Sequence, residues 1–388
     1  MGFWLRSVTG VFVIEDTGRI RSTLPANTIS LGGKTPQLVR SAPSSCWFAE
    51  IEVAFHTKFV AASRSRSAIF SDAMKHLPTL AACLISILLS LAGLNSSAAA
   101  ERDIFGYEAQ RSAPDTVTKI VFIGDAGTHG PQGNHEFVAG FILMARALHD
   151  AYPGVHAVVH SSKNWPTDLA HADAIIVGLN HGERAGKDME IFKATERGAG
   201  FMAVHFGVEV NIGVAGKNYL NWMGGYFETG WSVNPWWVPE FKTFSDHPAT
   251  RGLKPFTLRD EWYYHMRFPD DMKGVTPILS AIAPANTVRE EKSARGGNPD
   301  VFKAVNAGQA QHMAWAFDRP AGGRGFGFTG MHLHANHANH SFRTCLINGA
   351  AWVSGLEIPA DGVPSKTPSE GDLKALIDEA VAAIESGK

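Results

Sequence analysis

The chain has 388 residues, 45% hydrophobic and 19% charged, which are ordinary proportions for a globular protein with a sizeable core. A formal net charge of −2 and a pI near 6.8 exclude the basic footprint of a nucleic-acid binder and give no attraction to an acidic membrane surface. With three cysteines in this length, a disulfide scaffold is excluded as well.

Residues 1–73 show no sustained hydrophobic period and are scattered with Ser, Arg and Thr. Met74-Lys75-His76 then leads into an apolar run from Leu77 to Leu94, closed by Ala98-Ala99-Ala100. Basic start, apolar middle and small-residue end give the order of a secretory signal peptide over 74–100. On this reading Met74 is the start, residues 1–73 are untranslated or disordered, and the protein is periplasmic or secreted, free of the membrane after cleavage.

Two other readings compete. The run could anchor the chain, although it sits at the short end of the roughly 17–25 residues a span needs. Leu80-Ala81-Ala82-Cys83 also has the form of a lipobox, but apolar sequence continues well beyond Cys83. Cleavage after Ala100 would remove Cys46 and Cys83 and leave Cys345 with no internal partner.

After a linker over 101–118, strands and helices alternate. Lys119 to Gly124 is a β-branched and aromatic run, followed by a Gly-rich loop, Asp125 to Asn134, and a helical pattern from His135 to Ala151. Val155 to His160 and Ala174 to Gly178 read as strands, Asp188 to Arg197 as a helix ended by Gly198, and Gly200 to Phe206 as a fourth strand. Such spacing predicts βαβ units and a mostly parallel sheet.

From Gly207 to Pro239 the pattern dissolves into Gly, Asn and Trp, predicting a long ordered Trp-rich loop at the sheet rim. Phe241 to Phe244, Thr257 to Phe268 and Thr276 to Ile282 read as strands, and residues 284–311 as an exposed excursion. His312 to Asp318 and Arg324 to Gly330 predict a hairpin about a Pro/Gly turn. A helix follows from His340 or Ser341 to Ser354, and Ser369 with Asp372 makes a capping box before a helix over Leu373 to Ile384.

The densest chemical signal is GMHLHANHANHSFR, with His332, His334, His337 and His340 within nine residues. Residues i and i+2 share one strand face, so His332 and His334 are expected together at the rim where open α/β sheets bind ligands. His337 and His340 are expected in the loop and at the helix start.

Residues 119–364 resemble the trehalose-utilisation (ThuA-like) family of the class I glutamine amidotransferase-like superfamily. The matching pieces are KIVFIGDAGTHGPQGNHEF, GAGFMAVHFG, SDHPATRGL, DEWYYHMRF, WAFDRPAGGRGFGFTGMHLHANHANHSFR and LINGAAW, in family order. The resemblance implies one flavodoxin-like doubly wound α/β domain; residues 365–388, beyond it, are the C-terminal helix segment read from the capping box. Amidotransferases of this superfamily carry a cysteine on a tight strand-to-helix elbow and, later, a histidine and an acid two residues apart. Here the elbow position is His205, the later pair is His332 and His334, and the acid is missing. Cys345 falls inside a predicted apolar helix stripe, where a buried inert thiol is expected. Glutaminase activity is therefore not expected, and the resemblance points instead to a role with oxidised or keto-sugars.

His205, His332 and Glu261 are the expected catalytic residues. His129, His135, Glu136, His265, His334, Arg343 and Trp231 are the expected substrate contacts. Glu261 and His265 would share one strand face, with Asp260 on the other, and Glu136 has a plainer alternative as a helix-capping residue. The set admits acid–base catalysis on a keto- or oxidised sugar. It also admits a divalent metal held by three of His129, His205, His332 and His334 with Glu136 or Glu261, although no zinc-type spacing is present. No nucleotide cofactor is indicated, the expected partner is a carbohydrate, and assembly with further copies of this chain stays open. The competing reading is a non-catalytic sugar-binding or scaffolding protein that stacks sugars on its tryptophans.

Overall fold

The computed structural model describes residues 3–7, 10–14, 20–22, 104–105 and 117–387. The chain divides into two compact units, Met1–Met74 and Lys75–Lys388. In the first, β1 (Phe3–Ser7), β2 (Gly10–Ile14) and β3 (Ile20–Ser22) make an antiparallel meander, its strands too short to register as a period. The signal-peptide segment 74–100 lies outside the described residues, and among those described no helix is long and apolar enough to cross a membrane.

The strands of the second unit are β4 (Thr118–Gly124), β5 (Val155–Ser161), β6 (Ala174–Gly178), β7 (Gly200–Val204), β8 (Trp236–Trp237), β9 (Glu240–Phe241), β10 (Phe256–Thr257), β11 (Asp260–Glu261), β12 (Val275–Ile282), β13 (Ala310–Asp318) and β14 (Arg324–Phe328). Seven form one sheet in the order β12-β13-β14-β7-β6-β4-β5. From β14 to β5 every neighbouring pair is parallel, and β13 runs antiparallel to both β12 and β14.

The helices are α1 (Phe137–Ala151), α2 (Glu183–Lys187), α3 (Met189–Glu196), α4 (Val214–Met223), α5 (Pro299–Asn306), α6 (His340–Val353) and α7 (Glu370–Glu385). Because strand side chains alternate, Ile120 and Phe122 enter one core with α1, α6 and α7, while Val121 and Ile123 enter the other with α3 and α4. Both faces of β4 are thus dry, which is why its sequence reads as an unbroken apolar run. Each fully buried Phe or Ile contributes on the order of 2 kcal/mol relative to exposure. Together these features are the expected doubly wound, mostly parallel α/β fold.

Several local expectations are corrected. The stretch 207–239 contains α4, whose buried Ala215, Tyr219, Trp222 and Met223 lie at i, i+4, i+7 and i+8 and which stops at Gly224 in the left-handed region. Its glycines and asparagines masked that stripe. The excursion 284–311 contains α5, started by Pro299 and capped by Asn298, whose side chain accepts from the backbone N–H groups of Asp300 and Val301. Thr257 to Phe268 is not one strand. It holds the end of β10, then β11 and the isolated bridge residues Tyr264 and Arg267, and His265 has φ 58°, a conformation no regular strand allows. The last helix starts earlier than expected, at the Ser369/Asp372 capping box itself, and docks on α1 through Arg146 Nη2 to Glu379 Oε1 at 2.7 Å.

Candidate active site

The C-terminal ends of the parallel strands β4, β7 and β14 open on one rim, and each delivers one histidine there. His135 comes from the loop after β4, His205 is the first residue after β7, and His332 follows β14. Two loops are zipped together at this point, with His135 N–H donating to the His332 carbonyl at 2.8 Å and His334 N–H to the Gly133 carbonyl at 2.9 Å. From above, β11 of the segment between α4 and β12 lowers Glu261 onto the same spot.

His135 Nε2 and His205 Nε2 are 3.0 Å apart, and His205 Nε2 is 3.2 Å from His332 Nδ1. Glu261 Oε2 lies 3.1 Å from His332 Nδ1 and 3.5 Å from His205 Nε2. The Tyr263 hydroxyl is 3.3 Å from both His205 Nε2 and Glu261 Oε2. The three histidines and Glu261 are the group of histidine and acidic residues, among those described, whose donor atoms could hold one metal ion.

Each member is held in place from behind. Nδ1 of His135 donates to the His129 carbonyl at 2.5 Å, and Nδ1 of His205 to the Thr329 carbonyl at 2.9 Å. His135 and His205 have φ 54° and 48°, left-handed values that cost a non-glycine residue about 1–3 kcal/mol each. Buried Asp260 accepts from the backbone N–H groups of Glu261, Met331 and His332 and from Asn336 Nδ2, which fixes the loop carrying His332. Asn234 Nδ2 donates to Glu261 Oε1 at 3.2 Å.

Burial, then the neighbouring His332, pushes the His135 imidazole down to about 4. Burial and then His135 hold His205 well below the usual histidine range. Both rings are therefore neutral near pH 7. Burial, then Glu261, holds the Tyr263 phenol well above its usual range, so it remains a hydrogen-bond donor. The Asp260 carboxyl is pushed up to about 6 by burial, opposed by the hydrogen bonds from Asn336, Met331 and Glu261 and by the nearby His332.

A cavity of about 130 Å³ lies against the cluster, lined by His129, His135, Phe206, Asn234, Glu261, Tyr263, Arg295 and His332. Arg295 is fixed by a bidentate contact with buried Glu209, at 2.9 and 2.7 Å. A neighbouring groove of about 590 Å³ shares Asn234 and Arg295 with this cavity and includes the half-exposed ring of Trp236. That ring also meets His332 edge-on, with centroids 4.5 Å apart.

Of the expected residues, the structure brings together His205, His332, Glu261 and His135, with His129 lining the same cavity. It does not bring the others. His334 leaves the strand direction at a 3-10 turn and pairs with His337, ring centroids 5.3 Å apart, in the core. Glu136 turns back to accept from Gly133 N–H at 2.9 Å, bracing the loop. His265 stacks on Trp231 at 4.6 Å, and the Arg267 guanidinium lies over the same indole at 3.8 Å, so neither His265 nor Trp231 lines the cavity. Arg343 ties α6 to the C-terminal segment through the His337 carbonyl, Ser365 Oγ and Thr367 Oγ1. Among the described residues, the donor atoms close enough to share one ion are those of His135, His205, Glu261 and His332, which takes in His205, His332 and Glu261 of the expected set but not His129 or His334. Cys345 is fully buried, and burial raises its thiol above the ordinary range. Sequence reasoning missed Asp260, Tyr263, Asn234, Arg295 and Trp236. Only the acid pair and aromatics of DEWYY offered any signal, and Asp260, set on the other face of β11 from Glu261, was left without a role.

Residues 131–353 match the family model described as ThuA, trehalose utilisation. The chain belongs to this family. No curated protein matches it. Among solved structures, a ThuA-like protein from Bacteroides uniformis is 16% identical with a TM-score of 0.42, covering 62% of this chain and 92% of its own. PurLQS from Thermotoga maritima is 14% identical with a TM-score of 0.32, covering 69% of this chain and 99% of its own. A GMP synthase component from Thermoplasma acidophilum is 11% identical with a TM-score of 0.32, covering 62% and 95%. As a member of the trehalose-utilisation family, this protein has a carbohydrate-related role. Its elbow is occupied by an imidazole in place of a thiol.

Proposed function

We propose that the rim cavity is the active site of a carbohydrate-converting enzyme that acts on a keto- or otherwise oxidised sugar by moving a proton at a carbon next to a carbonyl. The carrying observation is the convergence of Glu261, His332, His205 and His135 from four separate chain segments onto one point of a cavity. Two of them, Glu261 and His332, touch each other and face the cavity, the pairing that general acid–base catalysis needs. Neutral His135, also on the cavity wall, and neutral His205 behind it aim lone pairs at the same point, and Tyr263 supplies a hydroxyl donor. Asn234 and Arg295 are fixed donors for sugar hydroxyls, and the groove with Trp236 has room for a second ring that stacks on its indole. The sequence of 74–100 supports action outside the cytoplasm.

The test is proton exchange in D2O with keto-disaccharides, followed by NMR. Wild-type protein is expected to wash deuterium into the position next to the carbonyl, and His332→Ala to slow this by about 100-fold or more. Sugar binding by calorimetry with no exchange and no product from any keto-glycoside would favour the binding-protein reading.

A further inference from the structure

The hydrogen bonding around the cluster leaves lone pairs facing lone pairs. A carbonyl oxygen can only accept, so the bonds to His129 and Thr329 place the ring proton of His135 and of His205 on Nδ1. In the neutral rings both Nε2 atoms are then bare acceptors, and they stand 3.0 Å apart. His332 Nδ1 and the Tyr263 hydroxyl each have one proton, to be shared between His205 Nε2 and Glu261 Oε2. Neither reaches His135 Nε2. His205 is fully buried, so water does not resolve the conflict at its ring.

From this arrangement we infer that His135 Nε2, His205 Nε2, His332 Nδ1 and Glu261 Oε2 together bind one divalent transition-metal ion, with a coordination position left open toward the cavity. One proton bridges a single pair of acceptors, whereas a divalent ion accepts all four lone pairs at once. The donor atoms lie within 4.8 Å of one another, close to the roughly 3–4 Å separations of ligands that each sit about 2.1 Å from one ion. Three imidazoles and a carboxylate suit zinc, manganese, iron, cobalt or nickel, and disfavour calcium and magnesium, which prefer all-oxygen shells. Backbone carbonyls on the far nitrogens of His135 and His205 fix tautomer and ring direction, as outer partners of metal-bound histidines do. The left-handed backbone at both residues aims the rings inward at an energetic cost that such a site would justify.

The site stands on this geometry, and only the ion's role on a substrate rests on the keto-sugar reading above. With the ion bound, Glu261 and His332 would serve as its ligands in place of their acid–base pairing, and the ion would supply polarisation of a sugar carbonyl. His129, the cavity histidine outside the donor set, would then take the proton from the neighbouring carbon, the C–H electron pair passing into a C=C bond and the charge to the former carbonyl oxygen.

Full-chain protein is stripped with a chelator and titrated separately with MnCl2, CoCl2 and ZnCl2 by calorimetry, while circular dichroism monitors folding. At least one of these ions is expected to bind one per chain. Glu261→Gln and His135→Ala should each weaken it by about 100-fold or more, while His334→Ala stays within about threefold. His129→Ala keeps the carbonyl that orients His135, so it should abolish deuterium exchange and leave metal affinity unchanged. A folded chain that binds none of the three ions, or whose affinity ignores both ligand substitutions, overturns the inference. Exchange that persists in stripped protein overturns the ion's role while the keto-sugar reading survives. Stoichiometric metal without any exchange sinks the keto-sugar reading and leaves the site.

Discussion

At the residue scale the centre depends on side chains that never meet a substrate. Asp260 is the clearest, since both its oxygens accept, and the four donors come from the backbone of Glu261, Met331 and His332 and from Asn336. Asp260→Asn keeps the shape but turns one acceptor into a donor that faces donors. The expected result is a loss of about 2–4 kcal/mol in urea unfolding, from two broken buried hydrogen bonds and an unpaired N–H. Because the His332 loop loses its anchor, turnover should fall further than the stability change implies. Unchanged stability with full turnover would show that Asp260 positions nothing. This residue illustrates what the sequence withholds. Alternation along β11 does set Asp260 apart from Glu261, but only the fold shows that the Met331–His332 loop passes within reach of both, Asp260 holding its backbone and Glu261 the His332 ring.

At the element scale the parallel strands were legible, because β4, β6 and β7 are buried on both faces and so are written as continuous apolar runs. His205 was legible for a related reason, since it follows such a run at the elbow. His334 was misplaced because β14 ends at Phe328, and the positive φ of Met331, 89°, breaks the alternation that would have put it beside His332. Helices α4 and α5 were hidden by glycine and proline, whose local signals resemble those of loops. The elbow also depends on tight packing between β7 and α6. A Cβ on Gly200 would stand 2.0 Å from the Val353 carbonyl oxygen, which is backbone and cannot swing away. Gly200→Ala should therefore destabilise by about 1–3 kcal/mol despite alanine's better strand entropy, read as a lower thermal midpoint. An unchanged or raised midpoint would mean that α6 slides freely on the sheet.

At the scale of the whole molecule, histidine burial sets the response to acid. Burial lowers the imidazoles of His135, His160, His205, His247, His265, His312, His334 and His337 below the ordinary value. Each unfolded histidine titrates near 6.5, so between that pH and its folded value the unfolded state binds the extra proton. Stability from these groups is thus fully present above about pH 6.5 and is lost as pH falls toward 4, the value at which His135, His265 and His334 titrate in the fold. Urea midpoints should drop steeply from pH 6.5 to 4.5 and be flat from 7 to 8. Equal midpoints at pH 7 and 5 would mean these rings are solvated in the native protein.

The central claim, that the four convergent side chains form one reacting centre for an oxidised sugar, is tested most directly by Glu261→Gln. Glutamine keeps the size and the contact to Asn234 but removes the carboxylate, which is the acid–base partner of His332 without an ion and a ligand with one. Turnover of a keto-disaccharide should fall by about 100-fold or more, with sugar affinity held within a few-fold by Asn234, Arg295 and Trp236. Wild-type turnover in a folded Glu261→Gln protein would contradict the assignment.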